Sequence, residues 1–282
     1  MTGRSPRSVP STPNEAMSWG TPATARLGSM QELCADLAAE HAALDAVLDA
    51  AEDWDAPTPA EGWSIRDTVS HLWFFDQRAL LALTDPEAFA ADAVVLLERG
   101  VEVSVEPGRR IEPDELHASW RRDRGALIDH ARTVDPSTRV PWYGPAMGAR
   151  SFITARLMET WAHGQDVVDV VGVDRPITDR LRHVAHIGVR ARPFSYAVNE
   201  RPMPAADVYV GLEAPGGGLW EWGDVASPDR VTGPALDFCL LVTQRRHLSD
   251  TSLEVSGPAA AEWMSIAQAF AGPPSGGRPP LT

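Results

Sequence analysis

The stretch Leu157-Met158-Glu159-Thr160-Trp161-Ala162-His163-Gly164-Gln165-Asp166 decides how this chain is read. It sits inside a longer run, 149–171, where Phe152, Ala155, Glu159, His163, Asp166 and Val170 recur at spacings of 3, 4, 4, 3 and 4. That spacing places them on one face of a helix. Apolar residues bracket a polar centre. Glu159 and His163 stand one turn apart, so a carboxylate oxygen and an imidazole nitrogen can converge on one cation, although the same pair also occurs as a simple surface pair. Two ligands do not close a zinc site, so a third must come from another helix. His71, in Ser70-His71-Leu72-Trp73, flanks the apolar stripe of Ile65, Val69, Leu72 and Ala79 and is the best placed to supply it. Helix bundles assemble metal sites from facing helices in this way. A hydrogen-bonded core histidine is the alternative.

On either side of this run the pattern is helical. Leu33, Leu37, Leu44, Val47 and Leu48 predict a helix over 31–51. Ser64 reads as an N-cap with Asp67 three residues on, opening a helix that runs to about Leu83. Further helices are expected over 86–99, 113–133 and 178–190. The loop 141–148 carries Trp142, Tyr143 and Met147, which would either line an apolar pocket or simply pack. After Pro204 the period changes: Val208, Val210 and Leu212 alternate as in a strand, and Gly216-Gly217-Gly218 turns the chain into a second strand over 219–223. Val231-Thr232-Gly233-Pro234-Ala235 and Val255-Ser256-Gly257-Pro258-Ala259 each read as a strand end, a tight turn and a helix with Pro first. Helices are therefore expected over 234–246 and 258–270, with a strand over 251–256. The organisation read from this is a disordered Ser/Thr/Pro-rich extension over 1–29, a helical bundle over 30–200, a small α+β domain over 201–271 and a Pro/Gly-rich extended arm over 272–282. Met17 and Met30 are read as alternative starts.

Composition narrows the chemistry. All 25 basic residues among the 282 are Arg, against 39 acidic ones, for a formal charge of −14. A net-acidic chain is a poor general binder of nucleic acid or of anionic membranes. With no Lys, Schiff-base chemistry and a P-loop lysine are excluded. No apolar run approaches a membrane span, and Cys34 and Cys239, far apart and outside any CxxC, suit a reducing cytoplasm. Neither cysteine lies near a catalytic motif, and HExxH, GxSxG, Walker A and GxGxxG are all absent.

The run Gly62-Trp63-Ser64-Ile65-Arg66-Asp67, with His71-Leu72 after it, resembles the second-helix signature of the mycothiol-dependent maleylpyruvate isomerase and DinB-like families. The run 157–166 resembles their fourth-helix metal motif. The resemblance implies a DinB-like helical bundle that binds a divalent metal, usually zinc in the isomerase branch, with His71, Glu159 and His163 as ligands. The segments 182–190, 231–238, 243–247 and 269–274 are similar to an actinobacterial subgroup of poorly characterised metal-binding proteins, and the C-terminal α+β part resembles small sterol-carrier-like domains. In the isomerase an arginine of the C-terminal domain assists catalysis, and Arg245 and Arg246 resemble it in position; the alternative is a helix C-terminal charge. Asp166 would either orient a ligand imidazole or be a solvated helix residue. His183 and His186, one turn apart, could form a second metal site, which the neighbouring Arg182 and Arg190 oppose. His41, His117 and His130 read as surface residues.

Three protein ligands leave a coordination position open, the catalytic pattern. The expectation is a cytoplasmic enzyme, monomer or homodimer, that takes a low-molecular-weight thiol, mycothiol by resemblance, as nucleophile for S-transfer to, or cis–trans isomerisation of, a small electrophile. Two alternatives remain. One is a hydrolase or amidase that activates water, with Asp166 the only obvious base. The other is a non-catalytic module that binds a small ligand.

Overall fold

The structure, a computed structural model, describes residues 28–281. The expected extension over 1–29 therefore lies outside the described residues except at its end. There Ser29 is not part of a tail but the N-cap of α1 (Met30–Leu48), closing a capping box with Glu32. The Ser64–Asp67 box opens α2 (Ile65–Thr84), and Asp85 caps α3 (Pro86–Arg99). Two 3₁₀ turns, Val101–Ser104 and Gly108–Arg110, lead into α4 (Pro113–Ala131). A two-stranded ribbon, β1 (Arg139–Val140) with β2 (Met147–Gly148), frames the aromatic loop and delivers the chain into α5 (Ala149–Val171). Gly172, in the left-handed region at φ 71°, ends that helix.

Helices α1, α2, α4 and α5 pack in a ring, α1 against α4 and α5, and α2 against the same two; α3 lies outside on α2. The stripe predicted on α2 is buried in this ring, as are Leu33, Leu37 and Leu44 of α1. After α6 (Leu181–Arg190) and α7 (Arg192–Val198) come β3 (Tyr209–Glu213), β4 (Leu219–Trp222), β5 (Arg230–Pro234), α8 (Ala235–Val242), β6 (Glu254–Ser256) and α9 (Pro258–Ile266). The sheet order is β4-β3-β5-β6, parallel only between β3 and β5. One cluster of buried side chains runs from Leu33 and Phe152 through Val184 to Val210, Phe238 and Trp263, so helices and sheet share a core. Cys34 and Cys239 are free and fully buried in it.

Several expectations need correction. Helix α7 adds to the elements expected between 190 and Pro204; its Pro193 occupies a first-turn position, where the missing N–H costs nothing. Pro234 closes β5 rather than opening a helix. Helix α8 stops at Val242, not at 246, because Gln244 adopts φ 60° and Arg245 turns back to donate to the Leu240 carbonyl. Helix α9 stops at Ile266, after which Ala269 pairs with the Val242 carbonyl. The arm beyond 271 is irregular but docked: Gln244 donates to the Ser275 carbonyl and the Leu281 amide to Asp250.

A candidate metal centre between α2 and α5

One ligand atom each from His71, Glu159 and His163 lies within 4.8 Å of the others. This is the only such group of three or more His, Cys, Asp and Glu among the described residues. His163 Nε2 stands 3.4 Å from Glu159 Oε2. Two atoms each about 2.1 Å from a tetrahedral zinc lie roughly 3.4 Å apart, so the pair already has the spacing that a metal would impose. The donor set, two imidazoles and a carboxylate, also fits.

A neighbour fixes the tautomer of the His71 ring. Ser104 Oγ donates to the Val101 carbonyl at 2.6 Å, so its lone pair is left to accept the His71 Nδ1–H at 2.9 Å. Nε2 of His71 then carries no proton and can bind a metal. His163 Nδ1 lies 3.3 Å from Asp166 Oδ2 and 3.4 Å from Arg245 Nη2, and its Nε2 faces Glu159. Burial and the adjacent His163 charge hold His71 well below the usual imidazole range. Burial acts against protonation of His163 too, but Asp166 and Glu159 outweigh it and raise its pKa. For Glu159, burial is outweighed by the His163 ring and the pKa is lowered, so the carboxylate is ready as an anionic ligand.

Aromatic rings wall the centre. Trp63 stacks on His163 at 5.9 Å between centroids and tilts against His71 at 4.8 Å, and Phe75 lies 4.6 Å from His71. The Tyr143 ring meets Phe75 edge-on, while Trp142 stacks on Phe89, so the aromatic loop is chiefly packing. Arg156, one turn before Glu159, is buried and donates through Nε to Asp76.

Asp166 is 1% exposed, so it is not a solvated residue. Its Oδ2 accepts from Arg245 Nη2 at 2.8 Å and its Oδ1 from Arg278 Nη2. Burial would raise its pKa, yet the Arg245 charge and the His163 contact hold it far below the carboxylate range. Arg245 spends its other donors on the carbonyls of Ala162 and Thr243. It thus reaches the Nδ1 edge of His163, away from the edge that faces Glu159. Arg246 forks onto Asp169 at 2.7 Å through both Nη atoms. As placed, neither arginine is free to clamp a substrate, and Arg245 buttresses Asp166 instead.

Two of the other histidines differ from expectation. His41 and His117 are buried, not on the surface: His117 Nε2 contacts Asp45 at 2.7 Å, and His41 packs edge-on against Trp120. His183 Nε2 is taken by Asp36 at 2.8 Å, and His186 accepts from Trp222, so these two form no second cluster. Ser104 and Arg278 escaped the sequence reading. A lone Ser 33 residues from its histidine, and an Arg 112 residues from its aspartate, carry no local signal.

Residues 34–168, which contain all three ligand candidates, match the family model of the mycothiol maleylpyruvate isomerase N-terminal domain. The chain is 46% identical over 249 residues to the uncharacterized protein MT0041 of Mycobacterium tuberculosis (strain CDC 1551 / Oshkosh) and to the uncharacterized protein Rv0036c of strain H37Rv, covering 86% of this chain and 97% of each relative. Among solved structures, the mycothiol-dependent maleylpyruvate isomerase superposes with a TM-score of 0.54 at 14% identity, over 82% of this chain and 96% of that one. A mutant of that enzyme gives 0.52 at 15% identity with the same coverage.

Proposed function

This chain belongs to the family that carries the mycothiol maleylpyruvate isomerase N-terminal domain, and from that premise we propose that it is a metal-dependent enzyme using a low-molecular-weight thiol, mycothiol, as nucleophile. Its partner substrate is a small electrophile, which undergoes S-transfer or cis–trans isomerisation. The observation that carries this reading is the triad of His71, Glu159 and His163, buried at His71 and half-buried at the other two, with the His71 tautomer set by Ser104 and no fourth protein donor among the described residues. A divalent metal held there, zinc by the family resemblance, would lower the pKa of a thiol in its open position. The chain's own part is to supply the imidazole nitrogens and the Glu159 carboxylate, to hold Asp166 against His163, and to line the centre with the rings of Trp63 and Phe75. With no lysine in the chain and both thiols buried, the nucleophile comes from outside.

Water activation at the same position would need a general base. Asp166, the carboxylate considered for it, has both oxygens on guanidinium groups, which disfavours the hydrolase reading. Free buried cysteines suit a reducing cytoplasm, and among the described residues no helix is long and apolar enough to cross a membrane.

Cobalt-substituted protein tests the proposal. Saturating mycothiol should add a thiolate charge-transfer band, and the band should vanish in His163→Ala, which should also purify with little metal. An unchanged spectrum, together with turnover that needs no thiol, would sink the proposal. Ligand retained without any turnover would leave the binding-module reading in its place.

A further inference from the structure

Arg278 belongs to a segment with no regular structure, yet its guanidinium is wedged between two carboxylates of α5. Nη2 donates to Asp166 Oδ1, and Nη1 donates to Asp169 Oδ2 at 2.6 Å and to the Arg245 carbonyl at 3.0 Å. The segment is tied on both sides of this residue, by Gln244 at Ser275 and by Asp250 at Leu281. Gly277 packs against Gln244, with φ 69°.

Asp166 thereby has one guanidinium on each oxygen: Arg245 on Oδ2, Arg278 on Oδ1. A carboxylate gripped at one oxygen alone can swing about its Cβ–Cγ bond. Gripped at both, it keeps Oδ2 beside the His163 Nδ1, 3.3 Å away. We propose that Arg278 is a positioning residue of the metal centre: the C-terminal arm holds Asp166, and through it the His163 ring, in the metal-binding orientation. This rests on the reading that the triad holds a divalent metal, and it extends the centre to a part of the chain that contributes no ligand.

The test is zinc affinity of the full chain by chelator competition, in a double-mutant cycle. Removing partners that orient a ligand histidine typically costs 10–100-fold in metal affinity. Arg278→Ala should raise the zinc Kd about tenfold, the low end of that range, while helix content of the metal-free protein is unchanged. Asp166→Asn should raise it by about 10–100-fold, and adding Arg278→Ala to Asp166→Asn should cost nothing more. Arg278→Lys, which keeps the charge but reaches only one carboxylate, should fall between wild type and Arg278→Ala; it also carries the comparison if the alanine variant does not fold. A wild-type Kd in Arg278→Ala, or a loss that adds in full to that of Asp166→Asn, overturns the inference and leaves the proposed function standing. A wild-type chain that takes up no zinc overturns both.

Discussion

Ser104 decides which nitrogen of His71 carries the proton. Its hydroxyl has one hydrogen, committed to the Val101 carbonyl, so only an N–H can face it from the ring. Ser104→Ala should therefore leave the fold intact but let the imidazole switch tautomer, lowering zinc affinity by about 10–100-fold. Chelator competition reads this directly; an affinity equal to wild type would mean that the ring is held by packing against Trp63 and Phe75 alone. Trp63 offers a second readout. Its indole overlaps both ligand rings, so metal uptake should change tryptophan fluorescence in wild type and much less in Trp63→Phe.

At the scale of the element, α5 and α2 were legible because their information is periodic: a stripe at spacings of three and four, bounded by a capping box or a terminal Gly. The closeness of the three candidate ligands was legible in part for the same reason, since Glu159 and His163 share a turn, and in part through the family resemblance that adds His71 on the facing helix. What stayed hidden depends on contacts made across the fold. Gln244 does the work of a helix-ending glycine because its side chain is held by two distant carbonyls, those of Ala267 and Ser275, and no local pattern announces that. The resulting early stop of α8 is what swings Arg245 onto α5. The burial of His41 and His117 likewise follows from charged partners on neighbouring helices. Gly188, inside α6, is a case where a local oddity had a tertiary cause. A Cβ there would lie 2.6 Å from Val242 Cγ2 and 3.0 Å from the Phe238 ring, where α6 crosses α8. Gly188→Ala should destabilise the protein by up to about 2 kcal/mol, the overpacking penalty less the helix-propensity gain. Urea denaturation measures it; a stabilised variant would show that the two helices can part without cost.

Across the whole molecule, acid sensitivity should begin well above the carboxylate range. His41 is buried, and desolvation pushes its pKa down from 6.5 to about 4, with Asp76 only partly opposing. A base whose folded value lies below its free value favours the unfolded state once protonation begins. Its cost is absent above about pH 6.5 and grows as the pH falls toward 4, reaching at most about 3 kcal/mol. Urea midpoints should fall between pH 6.5 and 4.5, and His41→Gln should make that slope shallower, leaving the share of His186, whose pKa burial and Arg190 also push down to about 4. Zinc should act in the opposite direction, adding about 4 kcal/mol at a thousandfold excess over Kd. The two thiols have a further consequence. Cys34 and Cys239 are fully buried, burial pushes both of their pKa values up, and the chain has no lysine amine. Excess maleimide should therefore leave the native protein's intact mass without a cysteine adduct and add two labels once it is unfolded. For the thiol-dependent reaction proposed above, this burial means that an electrophilic alkene would meet neither protein thiol in the folded state.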